Sequence, residues 1–396
     1  MVVVVYQCGF IKIDSLHNYI LVLVGSGAVC FSLGGRLARL IPIQTKTVRF
    51  NALESTQPPP LNRLYFWKFL MLMLSLFLML QIAYSTISTG LSGGPGSILL
   101  NAREAGLSNA SENGGISGVL SAYVSLWVNC TALMFFLERR DRWFWVMALV
   151  ALITAISTTG RGPVLQIFIM LVTAYLIKTH QLGFRAATRF ARVPILMFLF
   201  FYIGLTFTNK NTSVIEGGIL GIAIYFVVSY MIGPVVAMDY VLEHTEQYAG
   251  NPNHTFKLFA KLGDFFHLWS YSPPPLLDKF IEVPFPTNVY TGYKFYFTDF
   301  GFVGCLIVVG IIGFIHSFLY RKALMESQLA LYAFCFFNFC LIMFIFDDLY
   351  SAVGQIICVC IFGILYQSLR RLRLLPRNIS EKVRFSVFPK KHDLAT

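Results

Sequence analysis

Two stretches of this chain carry residue types with the setting to do chemistry. One is Ser157-Thr158-Thr159-Gly160-Arg161-Gly162-Pro163, a guanidinium between glycines at the end of an apolar run. The other is Pro286-Thr287-Asn288-Val289-Tyr290-Thr291-Gly292-Tyr293, which leads through Thr298-Asp299-Phe300-Gly301 into another apolar run. Arginine presents a planar fork of donors that fits phosphate oxygens two at a time. Beside hydrocarbon it is costly unless it is paired or faces a watery cavity. The flanking glycines let the chain turn sharply and let a ligand approach the backbone. Pro163 suits the first turn of a following helix. The competing reading of Arg161 is a snorkelling side chain paired with lipid headgroups.

Asp299 is the general-base candidate, because it stands where a polar stretch meets an apolar one. Its competing reading is a helix N-cap, a position that favours Asp. Asn288, Tyr290 and Tyr293 suit a sugar: amides bond ring hydroxyls, and aromatic rings cover C–H faces. An interfacial belt of Tyr and Trp is the alternative. Arg103 is a second phosphate candidate, with Glu104 beside it as a local partner.

Other polar groups offer less. Asp347-Asp348 is a carboxylate pair without a His partner, better suited to capping or ion pairing than to a metal. His244, His254 and His267 lack metal-ligand spacing, although any one can accept a proton. The eight cysteines form no CxxC pair and most lie in apolar runs, so they read as packing residues. No P-loop, dinucleotide fingerprint, GxSxG or HExxH is present. Neither a metal nor a cofactor is expected.

The elements that must position these residues follow from composition. Of 396 residues, 56% are hydrophobic and 13% charged, too few charges to cover a soluble domain of this length. A crossing needs about 20 apolar residues. The expected architecture is an all-α polytopic membrane protein, a single domain over 1–375 with a basic cytoplasmic tail at 376–396. Nine spans are expected, at roughly 19–34, 66–86, 117–137, 143–159, 163–178, 194–208, 300–319, 329–346 and 352–369. Segment 217–242 is long enough for a tenth. It is read instead as a re-entrant or surface-lying pair of short helices bent near Gly233-Pro234.

The formal net charge of +12 suggests nucleic acid only if the chain is soluble. Here the basic residues fall in clusters between spans: Arg36 to Lys68, Arg139 to Arg142, Lys178 to Arg192, Arg321-Lys322 and the tail from Arg370. Alternate faces of the nine-span arrangement receive these clusters, which places them in the cytoplasm. The other face then has a small loop at about 90–115 and a large one at about 209–299. Few charges lie deep within the spans, which argues against an ion-coupled transporter.

These residues resemble those of the bacterial O-antigen and oligosaccharide repeat-unit polymerases, the Wzy family. The resemblance rests on Gly160-Arg161-Gly162, on Pro286-Thr287-Asn288-Val289-Tyr290-Thr291, and on Tyr296-Phe297-Thr298-Asp299-Phe300-Gly301-Phe302-Val303-Gly304. It covers roughly 14–375. It implies a lipid-sugar glycosyltransferase bundle in the bacterial inner membrane, with its active site facing the periplasm. It implies transfer of a growing glycan from undecaprenyl diphosphate to a carrier-linked repeat unit, inverting and without a metal. Implied partners are membrane lipid, a chain-length regulator and a flippase. Two other functions stay open: an O-antigen ligase, for which His267 or His254 matters more, and a lipid-oligosaccharide flippase.

Overall fold

The computed structural model describes residues 18–42, 61–92, 101, 116–138, 142–158, 161–178, 232–244, 255–268, 270, 281–282, 286–287, 289–325, 327–350 and 353–371. In chain order the helices are α1 (Asn18–Leu40), α2 (Leu61–Ser92), α3 (Ile116–Glu138), α4 (Arg142–Ser157) and α5 (Arg161–Lys178). Then come α6 (Gly233–Glu243), α7 (Lys257–Phe265), α8 (Tyr293–Leu324), α9 (Gln328–Met343) and α10 (Val353–Arg371). Between α7 and α8 lies one two-residue antiparallel ladder, β1 (Ile281–Glu282) with β2 (Pro286–Thr287), pairing Ile281 with Thr287.

Among the described residues, three helices are long and apolar enough to cross a membrane: α1, α2 over Tyr65–Ser92, and α8. Shorter apolar helices accompany them at Tyr123–Leu137, Arg142–Ser157, Gly162–Lys178 and Gln328–Met343. The expected segment 194–208 lies outside the described residues. The other expected segments fall on helices, with several boundaries moved: α1 runs on to Leu40 and α2 covers Leu61–Ser92. The helix expected from 300 begins at Tyr293 and is interrupted at Gly301. Most of the 90–115 and 209–299 loops, the tail and residues 217–231 also lie outside the described residues. Gly233-Pro234 opens α6, with the proline in the first turn.

Two apolar cores organise the bundle. One joins α2 to α5 with α9 and α10 around Leu133, Phe135, Met147, Met170 and Phe336. The other joins α1, α6 and α8 around Ile20, Leu23, Met238, Tyr290, Tyr296 and Val309. Among acyl chains, apolar burial gives helices little reason to associate, so close backbone approach must supply the packing. α1 and α8 run side by side in parallel and do this with glycine. A Cβ on Gly34 would collide with the Gly310 carbonyl oxygen, and one on Gly313 with the Phe31 carbonyl. Ser317 Oγ donates to Gly35 O at 3.0 Å along the same seam.

Basic side chains close two helix ends. Arg321 donates to the Ala38 and Ile41 carbonyls at the end of α1. Lys178 donates to the Phe136 and Leu137 carbonyls at the end of α3. Each bonds carbonyls that have no helical N–H and offsets the negative end of a helix dipole.

Candidate functional site

Asp299 lies in the second turn of α8, and its carboxylate reaches across to the segment that enters α7. Thr255 donates twice to Asp299 Oδ2, from its backbone N at 2.7 Å and from Oγ1 at 2.6 Å. Asp299 Oδ1 is buried and has no hydrogen-bond partner among the described residues. Two residues on, Gly301 takes φ 67° and ψ −169°, a conformation open essentially to glycine alone. The chain thereby breaks α8 two residues beyond the carboxylate. The N-cap reading of Asp299 is therefore corrected: the helix starts six residues earlier, at Tyr293. The carboxylate is bonded to Thr255, 44 residues away, rather than to the N–H groups of its own helix start.

Aromatic packing holds this corner. The Phe256 ring lies 5.8 Å from Phe300, edge to face, and Lys257 Nζ lies 5.4 Å from the centre of Phe295. Tyr290 is 2% exposed, with Lys294 Nζ 3.8 Å from its ring centre. Tyr293 packs edge to face on Phe344 at 5.0 Å and fills the space left by Gly27 of α1. Of the two tyrosines read from the sequence as sugar contacts, Tyr290 is thus a core residue, and Tyr293 is half-buried against the same core. Asn288 and Arg103 lie outside the described residues.

Arg161 is the first residue of α5; its side chain lies outside the described residues. Pro163 sits in the first turn of α5, as expected. Gly162 is already inside the helix without a positive φ, so the sharp turn is not made there. A Cβ added to Gly162 would meet nothing within 4 Å, which leaves the backbone open to approach. Beneath it, Asn129 Nδ2 of α3 donates to Pro163 O and to Gln166 Oε1, both at 3.0 Å. Asn129 Oδ1 and Ser125 Oγ, one turn apart on α3, are buried without a hydrogen-bond partner among the described residues. Arg161 and Asp299 stand on separate helices, α5 and α8, and α9 packs against both.

A third polar group centres on Asp348, half of the carboxylate pair that the sequence offers for capping or ion pairing; its tyrosine partners are not visible there. Asp348, 5% exposed, accepts at Oδ1 from the Tyr296 hydroxyl at 2.7 Å and from Tyr350 N at 3.0 Å. Asp347 Oδ1 accepts from Asp348 N at 2.7 Å, which shapes the turn. The Tyr350 hydroxyl lies 2.6 Å from His316 Nε2 and 3.4 Å from the Phe337 carbonyl. Burial pushes the Tyr350 hydroxyl well above its ordinary range, so it stays protonated. Which nitrogen of His316 carries the proton decides whether Nε2 accepts from Tyr350 or donates to it. His316 was visible as a lone titratable residue within an apolar run. Its partner, 34 residues away, was not.

Among the described residues, no group of three or more His, Cys, Asp or Glu side chains is placed to hold a metal ion. No family model, curated protein or solved structure matches this chain.

Proposed function

We propose that this chain is an inner-membrane glycosyltransferase that polymerises undecaprenyl-diphosphate-linked repeat units at the periplasmic face. The observation that carries the reading is the Asp299 carboxylate. Thr255 fixes one oxygen, and the other is buried at the break in α8 without a partner among the described residues. A carboxylate held in this way suits a positioned proton acceptor. In the proposed reaction its free oxygen takes the proton of the acceptor sugar hydroxyl. That hydroxyl attacks the anomeric carbon, and the bond to the lipid diphosphate breaks with inversion. Negative charge grows on the departing diphosphate, and Arg161 supplies the stabilising cation. Arg103 and Asn288 complete the proposed substrate contacts. The nine-span topology and the periplasmic loop belong to this proposal, as do a chain-length regulator and a flippase as partners.

The test is complementation of a deletion strain, read as lipopolysaccharide or capsule banding with protein levels matched by immunoblot. The expected result is loss of polymer with Arg161→Ala and with Asp299→Asn, leaving one repeat unit on the lipid acceptor. Full-length polymer from both variants sinks the assignment. Carrier-linked polymer beside a bare acceptor in the deletion strain points to a ligase instead.

A further inference from the structure

Helix α7 is nine residues long, about 14 Å, and too short to cross a membrane. Its two sides differ sharply. Phe259, Leu262, Phe265 and Phe266 fall on one half of the helical wheel and are 62%, 45%, 75% and 64% exposed. Lys257, Lys261 and Asp264 fall on the other half. Ala260 and Gly263 are buried and mark the edge that meets the protein. Free apolar rings of this number in water mark a partner surface, because single exposed apolar residues are ordinary but a contiguous aromatic face is not.

What covers this face follows from where the helix is fixed. Thr255, just ahead of α7, is bonded to Asp299 on α8. Phe256 contacts Phe259 at 6.2 Å and Phe300 of α8 at 5.8 Å. Below Phe300, the residues Val303, Ile307, Ile311 and Ile315 form an exposed apolar stripe at helical spacing. α8 is long and apolar enough to cross a membrane, and in that setting the stripe faces acyl chains. Phe256 joins the aromatic face of α7 to the head of the stripe without a polar interruption. We infer that α7 is an interfacial helix, seated with its aromatic face in the lipid at the N-terminal end of α8 and its exposed Lys261 toward the phosphates.

The chemistry of the two sides fits that occupant. Phenylalanine and leucine partition into the boundary between headgroups and acyl chains, while lysine directed to the headgroup layer meets anionic lipid. The Thr255–Asp299 bonds fix one end of the helix at that depth. The carboxylate of Asp299 thus ties the lipid-seated segment to the break in α8.

The test uses the full chain in vesicles of phosphatidylethanolamine and phosphatidylglycerol doped with a phospholipid carrying a photoactivatable diazirine near the acyl carbonyl. Peptide mapping after illumination reads the sites of insertion. The expected result is adducts on Phe259, Leu262, Phe265 or Phe266 at a yield comparable to that on Phe300 and Val303, with none on Lys261 or Asp264. The double variant Phe259→Asp with Phe265→Asp is expected to lose the α7 adducts while keeping those on Val303. Adducts on Val303 with none on α7 overturn the inference, as does equal labelling of both sides of the helix. Cross-links from α7 to a second copy of the chain in place of lipid adducts overturn it as well.

Discussion

Thr255 holds one oxygen of Asp299 with two hydrogen bonds, at 2.7 and 2.6 Å, and the other oxygen is left buried at the break in α8. The two donors act differently. The backbone N–H survives any substitution but proline, whereas the hydroxyl is removable. Thr255→Val keeps the shape and the backbone bond and deletes the Oγ1 bond. A hydrogen bond to a charged acceptor contributes about 1.5–3 kcal/mol. If half of that energy aligns the carboxylate for proton transfer, the rate falls about four- to thirteenfold. Chain extension measured with a lipid-linked repeat unit is expected to fall by that factor in Thr255→Val and to recover in Thr255→Ser. An unchanged rate in the valine variant removes Thr255 from the positioning of Asp299.

Gly301 and Gly162 separate two uses of glycine. A Cβ at either position meets nothing within 4 Å, so neither substitution clashes. Gly301 has φ 67°, and a side chain there costs on the order of 1–3 kcal/mol through backbone strain alone. Gly162 has no such conformation, and in the first turn of α5 alanine is neutral or better by up to about 1 kcal/mol. Thermal unfolding in detergent is expected to show a lower midpoint for Gly301→Ala and an unchanged or higher one for Gly162→Ala. Polymerisation is expected to fall in both: in the first through the displaced Asp299, in the second through a methyl group where the phosphate approaches. A Gly162→Ala enzyme at full rate argues that no ligand uses that open backbone.

What the sequence disclosed and what it hid follow a physical divide. Long apolar runs announced the helices, because a helix read by composition needs no knowledge of its neighbours. Pro163 in a first turn was legible for the same local reason. The true start of α8 was not. Tyr293, Tyr296 and Phe297 look like an aromatic loop in sequence, yet they form the first turns of a helix, with their rings on Phe344 at the end of α9 and on Tyr19 of α1. That shift puts Asp299 in the second turn of α8, two residues ahead of its break at Gly301. The bonds from Thr255 to Asp299, from Tyr296 to Asp348 and from His316 to Tyr350 join residues 44, 52 and 34 positions apart, a separation that no spacing rule detects. Ser125 and Asn129 carried a signal that went unread. Two polar residues one turn apart in an apolar helix are a visible signal of a polar contact between helices.

The seam between α1 and α8 sorts its glycines by what each would strike. On Gly34 and Gly313 an added methyl meets backbone carbonyl oxygen, which cannot swing aside. On Gly310 the nearest atom is Cys30 O at 3.5 Å, an ordinary contact. Overpacking of the first kind costs about 1–3 kcal/mol. Gly34→Ala and Gly313→Ala are expected to lower the unfolding midpoint and the yield of monodisperse protein in detergent. Gly310→Ala is expected to stay within about 0.5 kcal/mol of the parent. A tolerated Gly34→Ala means that the two helices are farther apart than this packing requires.

His267 tests the divide between polymerase and ligase readings. It is the one non-glycine residue with positive φ among the described residues, at 55°. The reason is local. Its backbone N donates to Asp264 O at 3.0 Å, and Leu268 N donates to Gly263 O at 2.8 Å. This is the paired bonding of a Schellman motif closing α7, with His267 at the position where glycine is most often found. A residue that serves only as a cap is replaceable by glycine or asparagine, which enter the left-handed region at least as easily. A residue whose imidazole moves a proton is not replaceable by either. His267→Gly and His267→Asn are expected to keep full glycan transfer, with slower hydrogen exchange at Leu268 in the glycine variant. His267→Val, β-branched and ill suited to positive φ, is expected to loosen the end of α7 and speed that exchange. Loss of transfer in both the glycine and the asparagine variants, with α7 still protected, assigns the imidazole a chemical role and moves the proton acceptor from Asp299 to His267.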